Sequence, residues 1–221
     1  MQPGIVPLTG SMDMQQINSL DQLYVQKLQM IYDAERQTLE AFPRLTQMVQ
    51  NEDLRTGMES HRQQTEDQAQ QVEQLVRARD GQTQGMTCLS MRALLQEAEQ
   101  TLPMIQDPDT RDAFIIAAQQ AVEHHEIAAY GTARTWAQEL GYDDDAATLQ
   151  SILDQEGSTD NLLSDVAERR VNPQASSGAS DVDVTPRAQV ADRSMGGAGA
   201  SAGLGNDASG DERSADAQSG A

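Results

Sequence analysis

Residues 114–141 read FIIAAQQAVEHHEIAAYGTARTWAQELG, and this stretch decides the fold. Apolar side chains recur in it at three- and four-residue steps, which is the spacing of one face of an α-helix. Gly141 stands where the C-terminal cap of such a helix is expected. The stretch therefore predicts a long amphipathic helix over about residues 109–140. Its apolar stripe includes Ile115, Val122, Ala129, Ala133, Trp136 and Leu140.

Three other long segments show the same helical periodicity. They predict helices over about residues 17–50, 52–79 and 144–170, and Asn51 is a plausible N-cap for the second of them. A shorter helix is predicted over about residues 90–102, and prolines follow it. Four long helices and one short helix account for most of the middle of the chain.

The lengths of the connections predict the topology. Short turns join the first long helix to the second and the third to the fourth, whereas about 28 residues separate the second from the third. Among four-helix bundles, two antiparallel pairs joined by one long crossover define the ferritin-like arrangement. The predicted fold class is therefore all-α: a ferritin-like four-helix bundle with a long crossover that carries a short fifth helix.

The two ends of the chain differ from its middle in composition. All seven aromatic residues lie between Tyr24 and Tyr142, and 27 of the 51 residues in 171–221 are Gly, Ala or Ser. Such a segment buries too little apolar surface to offset its ordering entropy. The sequence thus predicts a flexible segment at 1–16, the bundle at 17–170 and a disordered acidic tail at 171–221.

The charge balance excludes several classes of function. The chain carries 35 acidic and 15 basic residues, a formal net charge of −20. Nucleic acid and anionic membrane surfaces both require basic patches, so neither is an expected partner. The single cysteine, Cys88, excludes an internal disulfide, and no apolar run is long enough to span a membrane. A cytoplasmic location is the expectation.

Acidic residues stand where apolar residues are expected on three of the long helices. Glu35 lies in the stripe of the first helix, and Glu123 and Glu126 lie in that of the third. Glu156 continues the stripe of the fourth helix, with Asp160 one turn later. An ionised carboxylate in a bundle core costs several kcal/mol unless it is paired or coordinated. Few arginines or lysines are nearby, so these acids predict a centre that holds divalent metal ions.

The sequence does not decide which residue of the second helix is the metal ligand. Glu35 and Glu66 are 31 residues apart, and Glu126 and Glu156 are 30 apart, which indicates a two-fold internal repeat with a carboxylate on each arm. Glu66 lies at the edge of its stripe, whereas His61 lies closer to the centre. Either residue is a candidate ligand. The competing hypothesis for all these acids is a solvated helix face or pairing with arginine.

Five strings carry a resemblance to a known family. They are IYDAERQTLEAFPRL (31–45), MESHRQQTEDQ (58–68), TCLSMRALLQEAEQ (87–100), the part of the opening stretch that reads VEHHEIAAYGT, and LDQEGSTDNLLSDVA (153–167). In this order they resemble the YciE/YciF family of stress-associated ferritin-like proteins. The resemblance covers about residues 18–170. It implies a homodimer, a dinuclear iron centre and a ferroxidase role.

Two departures from the family pattern bear on the metal. The second helix has Gln63 and Gln64 where relatives typically have more carboxylates, and the fourth has Glu156 and Thr159 instead of a Glu-x-x-His pair. Oxygen-rich donor sets suit manganese as well as iron. The leading hypothesis is Fe(II) oxidation with O₂ or peroxide. The alternatives are a non-catalytic stress or scaffold protein with a degenerate site and, third, a manganese catalase-like activity.

Overall fold

The computed structural model describes residues 16–178 except 80 and 85, and all regular elements in that part are helices. In chain order the α-helices are α1 (Leu20–Met48), α2 (Glu52–Ala78), α3 (Leu89–Thr101), α4 (Pro108–Glu139), α5 (Asp143–Val166) and α6 (Asn172–Gly178). The long helices α1, α2, α4 and α5 form the bundle, and α3 lies in the crossover. The predicted ferritin-like four-helix bundle is confirmed.

Side-chain caps fix where the helices begin. As predicted, Asn51 caps α2 by accepting the backbone N–H of Leu54 at 3.0 Å. The α1 helix begins at Leu20 and not at residue 17, because the Ser19 hydroxyl accepts the backbone N–H of Gln22 at 3.1 Å. At the end of α4, Gly141 adopts φ +75°, a conformation that favours glycine, and this is the predicted helix terminus.

Contacts between helix ends show that neighbouring helices are antiparallel. Asp112, near the start of α4, accepts the backbone N–H of Gln50 at 3.0 Å and that of Asn51 at 2.7 Å, just after the end of α1. Arg79, at the end of α2, binds Asp145 at the start of α5. The α2 helix therefore ends at the opposite end of the bundle from the start of α4. The long crossover is needed to span that length.

The crossover lies along α1. The backbone N–H of Cys88 donates to the Asp33 carboxylate at 2.7 Å, and Arg44 pairs with Glu99 at 3.0 Å farther along. Cys88 is buried, and its Sγ lies 3.4 Å from Nε2 of His125 on α4. These contacts hold α3 against both α1 and α4, along the groove between them.

A polar layer divides the apolar core of the bundle into two parts. One apolar cluster is built around Tyr24, Leu28 and Tyr130, and the other around Phe42 and Met58. Apart from Asp112 and Asp145 near the helix starts, the buried polar residues of each long helix fall between the residues of these two clusters. The layer is thus enclosed by apolar packing on both sides, which shields it from water.

The described helical part extends beyond the predicted end of the bundle at residue 170. After α5 the chain makes one π-helical turn, Ala167–Val171, and continues as α6. Val171 is 1% exposed and packs in the cluster with Phe42. The boundary predicted at residue 170 was therefore placed too early, because the composition of the segment hid one buried apolar residue. Residues 1–15 of the predicted N-terminal segment and 179–221 of the predicted tail lie outside the described residues.

Val171 provides a test of this boundary. We expect a chain that ends at residue 178 to unfold at a higher temperature than one that ends at residue 170. The shorter chain loses the buried Val171 side chain, and burying such a side chain contributes about 1.5–3 kcal/mol. Thermal unfolding followed by circular dichroism measures the difference. Equal melting temperatures for the two chains would show that Val171 contributes nothing to the core.

Candidate metal centre

Five ionisable side chains meet in the polar layer at the middle of the bundle. Each of the four long helices supplies at least one, and each is 3% exposed or less. They are Glu35 on α1, His61 on α2, Glu123 and Glu126 on α4, and Glu156 on α5. All five fall on the inward stripes because residues three, four and seven apart share one helix face.

Four of these residues form a compact donor set. One ligand atom from each of His61, Glu123, Glu126 and Glu156 lies within 4.8 Å of all the others. Nε2 of His61 is 2.9 Å from Oε1 of Glu123 but does not have the alignment of a hydrogen bond. Donor atoms that converge in this way from three helices have the arrangement expected around a shared cation.

Glu35 lies beside this set and is held by a tyrosine. The Tyr130 hydroxyl, fully buried on α4, donates a short hydrogen bond to Oε1 of Glu35. Oε2 of Glu35 has no hydrogen-bond partner among the described residues. One oxygen of this carboxylate is therefore fixed in position, and the other remains available as a ligand.

Several buried carboxylate oxygens lack a hydrogen bond, and this observation tests whether the residues fit a metal. Within residues 16–178 these atoms are Oε2 of Glu35, Oε2 of Glu123 and both carboxylate oxygens of Glu156. Leaving ionised oxygens buried and unpaired is costly, and a divalent cation removes that cost. Oxygen donors with one imidazole nitrogen suit iron or manganese. The donor set therefore fits the predicted kind of metal centre.

Burial dominates the protonation of three of the carboxyls. Burial raises the pKa of Glu35 to about 7 and, together with Glu123, that of Glu156 to about 11. The pKa of Glu126 is raised well above its ordinary value by burial and by the charges of Glu35, Glu156 and Glu123. Without a cation, burial favours the protonated forms of these groups, and a metal ion would have to displace their protons.

His61 and Glu123 behave as a pair. Burial lowers the pKa of His61, but contact with Glu123 outweighs it, so the pKa is raised overall. Burial conversely raises the pKa of Glu123, and the contact with His61 outweighs it, so that the pKa is lowered. In the metal-free protein the two residues favour the imidazolium–carboxylate form. Metal binding would replace the proton on His61.

Two of the predicted site residues lie outside the cluster. The Glu66 side chain is 57% exposed and faces Arg62, 3.6 Å away, so the structure places His61 and not Glu66 at the centre. Glu66 follows the inward residue Thr65 by one position, which turns it about 100° around the helix. Asp160 accepts from Gln120 at 3.1 Å at the edge of the α4–α5 interface. Neither carboxylate joins the donor set of the centre.

Neutral polar residues complete the layer, and of these only Thr159 was singled out from the sequence. Thr65 and Gln68 on α2 are each 1% exposed, and Thr159 on α5 is 8% exposed. On α4, Gln119 donates to Oε1 of Glu123 at 2.6 Å. Helical spacing from Met58 through Val72 was the available signal, because it places Thr65 and Gln68 on the same face as His61.

The fold and the centre define a class of protein: a ferritin-like helical bundle with a buried carboxylate–histidine layer that has the donors of a metal site. The chain belongs to the YciE/YciF family. The profile of the domain of unknown function DUF892 matches residues 19–176. YciF from Escherichia coli K12 is 34% identical over 160 residues, which cover 72% of this chain and 96% of that protein.

Solved structures agree with this assignment. The E. coli stress protein YciF superposes with a TM-score of 0.67 at 34% identity, over 71% of this chain and 99% of that one. YcfI from Rhodopseudomonas palustris, for which a structural role has been suggested, gives a TM-score of 0.66 at 35% identity, over 68% of this chain and 96% of that one. No helix within the described residues is long and apolar enough to cross a membrane.

The raised pKa values predict how the stability of the metal-free protein depends on pH. The pKa of Glu35 is about 7 in the folded protein against 4.5 ordinarily, so the folded state binds more protons between these values. Its contribution to stability is therefore lost as the pH rises through 7. The pKa values of Glu126, Glu156 and His61 are also raised, so the contribution of each of these groups to stability is likewise lost as the pH rises. We expect the melting temperature of chelator-treated protein to fall from about pH 5 to pH 8.

The Glu35→Gln variant is the control, because it removes one titrating carboxyl without changing the shape of the side chain. Its melting temperature is expected to fall less steeply over the same range, while repulsion among surface acids affects both proteins equally. Saturating Mn(II) is expected to cancel the decline, since the metal takes the place of the protons. A melting temperature that rises between these pH values without metal would contradict the prediction.

Proposed function

We propose that this protein binds two divalent metal ions inside the bundle and oxidises Fe(II) with O₂ or peroxide as part of stress protection. The observation that carries the proposal is the set of buried carboxylate oxygens that lack hydrogen-bond partners. The centre contains four carboxylates, Glu35, Glu123, Glu126 and Glu156. Their four negative charges, when ionised, balance two divalent cations, and this favours a pair of ions over a single one.

The chain's own residues would perform distinct tasks in this reaction. The carboxylates and His61 would hold the ions, which supply the electrons for oxygen chemistry. Two Fe(II) substrate ions give up two electrons, and one peroxide takes these with two protons to form two water molecules. The Tyr130 hydroxyl orients Glu35, and the apolar clusters on both sides of the layer exclude bulk water. The low polarity of such a site strengthens each electrostatic interaction within it.

A manganese catalase-like activity is a second candidate, and the oxygen-rich donor set favours it, since carboxylates suit manganese. In that reaction, two peroxide molecules give one O₂ and two water molecules. A non-catalytic scaffold role is the third candidate. The neutral residues Thr65, Gln68 and Thr159 in the layer favour it, as does the structural role suggested for YcfI of R. palustris.

Metal analysis, together with activity assays on Fe(II) and on peroxide, tests the proposal. Protein purified without chelator is expected to contain about two metal equivalents per chain, and the metal-free protein is expected to oxidise added Fe(II). Release of O₂ from peroxide by the manganese-loaded protein would support the catalase-like activity instead. Failure to bind any metal after Fe(II) loading would support the scaffold role. Glu66→Gln is the matched control, because it removes an exposed carboxylate of α2 outside the centre.

The family likeness also supports a cytoplasmic homodimer. We include both in the proposal. The molar mass of the full chain, measured by light scattering, tests the dimer, and fractionation of the native cells tests the location. A monomeric mass over a wide range of concentrations would contradict the first, and recovery from the medium or the envelope would contradict the second.

A further inference from the structure

The two halves of the bundle correspond residue by residue. A constant offset of 91 positions relates α1 to α4 and α2 to α5, because Glu35 corresponds to Glu126 and the first residue of α2, Glu52, corresponds to the first residue of α5, Asp143. By the same offset, Glu156 corresponds to Thr65 and not to Glu66. The structure agrees, because Thr65 is 1% exposed, whereas the Glu66 side chain is 57% exposed.

This correspondence shows that the ligands are distributed unequally. The α4–α5 half supplies Glu123, Glu126 and Glu156, all in the compact donor set. The equivalent positions in the α1–α2 half are Tyr32, Glu35 and Thr65, so that half supplies one carboxylate where the other supplies three. His61 is the one ligand from the α1–α2 half that lies in the compact set.

Glu35 is also constrained in a way that the other carboxylates are not. The short hydrogen bond from Tyr130 occupies its Oε1, which leaves Oε2 as its free donor. Gln68 is the other buried residue of this half with an unpartnered oxygen, Oε1. For a cation outside the compact set, the α1–α2 half therefore offers one free carboxylate oxygen and one neutral amide oxygen. Any further oxygen donors would be shared with the first cation.

From this asymmetry we infer that the two metal positions are unequal: His61, Glu123, Glu126 and Glu156 form a tight position, and Glu35 completes a weaker, exchangeable one. The inference rests on the proposed function and adds to it an order of filling. The tight position would fill first, and the weaker position would fill second and exchange its ion more readily, while both ions remain substrates of the oxidation. Two equal positions, in contrast, would require a comparable number of carboxylates from each half.

Binding of Mn(II) to the metal-free full chain tests the inference without relying on activity. The electron paramagnetic resonance signal of free Mn(II) gives the amount bound. We expect two steps, with the first equivalent bound at least about tenfold more tightly than the second, because the first position has three carboxylates and an imidazole. In Glu35→Gln the second equivalent is expected to weaken at least about 100-fold, while the first changes less than about threefold.

Two further variants sharpen the test. Gln68→Glu adds a carboxylate to the poorer half without a change of shape, and is expected to tighten the second equivalent about tenfold. Tyr130→Phe releases Oε1 of Glu35, and is expected to tighten the second equivalent severalfold without affecting the first. Glu66→Gln is the control, and both equivalents are expected to bind as in the wild type.

The outcomes separate the inference from the proposed function. Two equivalents of indistinguishable affinity, or equal weakening of both in Glu35→Gln, would overturn the inference and leave the proposed function in place. A single wild-type equivalent that Glu35→Gln does not affect would overturn the weaker position and the dinuclear centre together. No binding of Mn(II) or Fe(II) by the wild type would overturn the proposed function itself.

Discussion

Replacing Glu126 is expected to abolish Fe(II) oxidation while leaving the metal-free protein as stable as the wild type. Glu126 is 2% exposed, and its one hydrogen bond, from Thr38 Oγ1, is long at 3.4 Å. Burial and the charges of Glu35, Glu156 and Glu123 raise its pKa well above the ordinary value, so its ionised form is disfavoured without a cation. Glu126→Gln keeps the volume of the side chain, and Glu126→Ala removes every ligand atom.

The response of the melting temperature to metal provides the second measurement. A metal at about 100 times its dissociation constant stabilises the folded state by about 2.7 kcal/mol. For a folded unit of this size, that is about 5–10 °C. The wild type is expected to show this increase with Mn(II) or Fe(II), and Glu126→Ala to lose most of it. Glu66→Ala, which truncates an exposed glutamate, is expected to retain both the increase and the oxidation rate.

An ion-pair role for Glu126 predicts the opposite result. Removing one partner of a buried ion pair costs about 3–5 kcal/mol, because the other charge remains buried without compensation. A metal-free Glu126→Ala protein that is destabilised to this extent, and that still oxidises Fe(II) at the wild-type rate, would exclude Glu126 from the metal centre.

The largest loss of stability is expected from Asp145→Ala, at the end of the bundle where α5 begins. Asp145 binds the guanidinium of Arg79 through two hydrogen bonds, of 3.0 and 2.9 Å, and accepts the Tyr24 hydroxyl at 2.9 Å. The Arg79 guanidinium also lies 3.4 Å above the Tyr142 ring. These contacts join the start of α1 and the end of α2 to α5. Loss of the carboxylate leaves a buried hydroxyl and a partly exposed cation unpaired, and because solvent screens the cation the expected cost is about 2–3 kcal/mol.

Asp144→Ala is the matched control for this variant. Asp144 is exposed in the same first turn of α5, so its removal reproduces the loss of a negative charge at the helix N-terminus without breaking the buried pair. Thermal unfolding is expected to show a large decrease for Asp145→Ala and a small one for Asp144→Ala. Equal melting temperatures would show that the pair with Arg79 does not stabilise the fold. Metal content at low temperature is expected to be unchanged in both.

The sequence by itself determined the helices, their topology and most of the inward carboxylates. Helical periodicity is a local property, so the stripe around Ile31 and Leu39 was sufficient to place Glu35 inward, and the stretch at 114–141 did the same for Glu123 and Glu126. Connection lengths, also local, predicted the long crossover. Caps such as Asn51 and Gly141 were predicted because they depend on a few consecutive residues.

The tertiary structure alone decided which residues of the polar layer meet. Between Met58 and Val72 the inward face of α2 is polar, so helical spacing placed His61 nearer the centre of the stripe without excluding Glu66. Packing against α4 and α5 decided between the two residues. The hydrogen bond from Tyr130 to Glu35 joins residues that are 95 positions apart, and no local sequence pattern predicts such a contact. Local hydrogen bonding sets the period of a helix, but its rotation and its partners depend on apolar burial summed over the whole bundle.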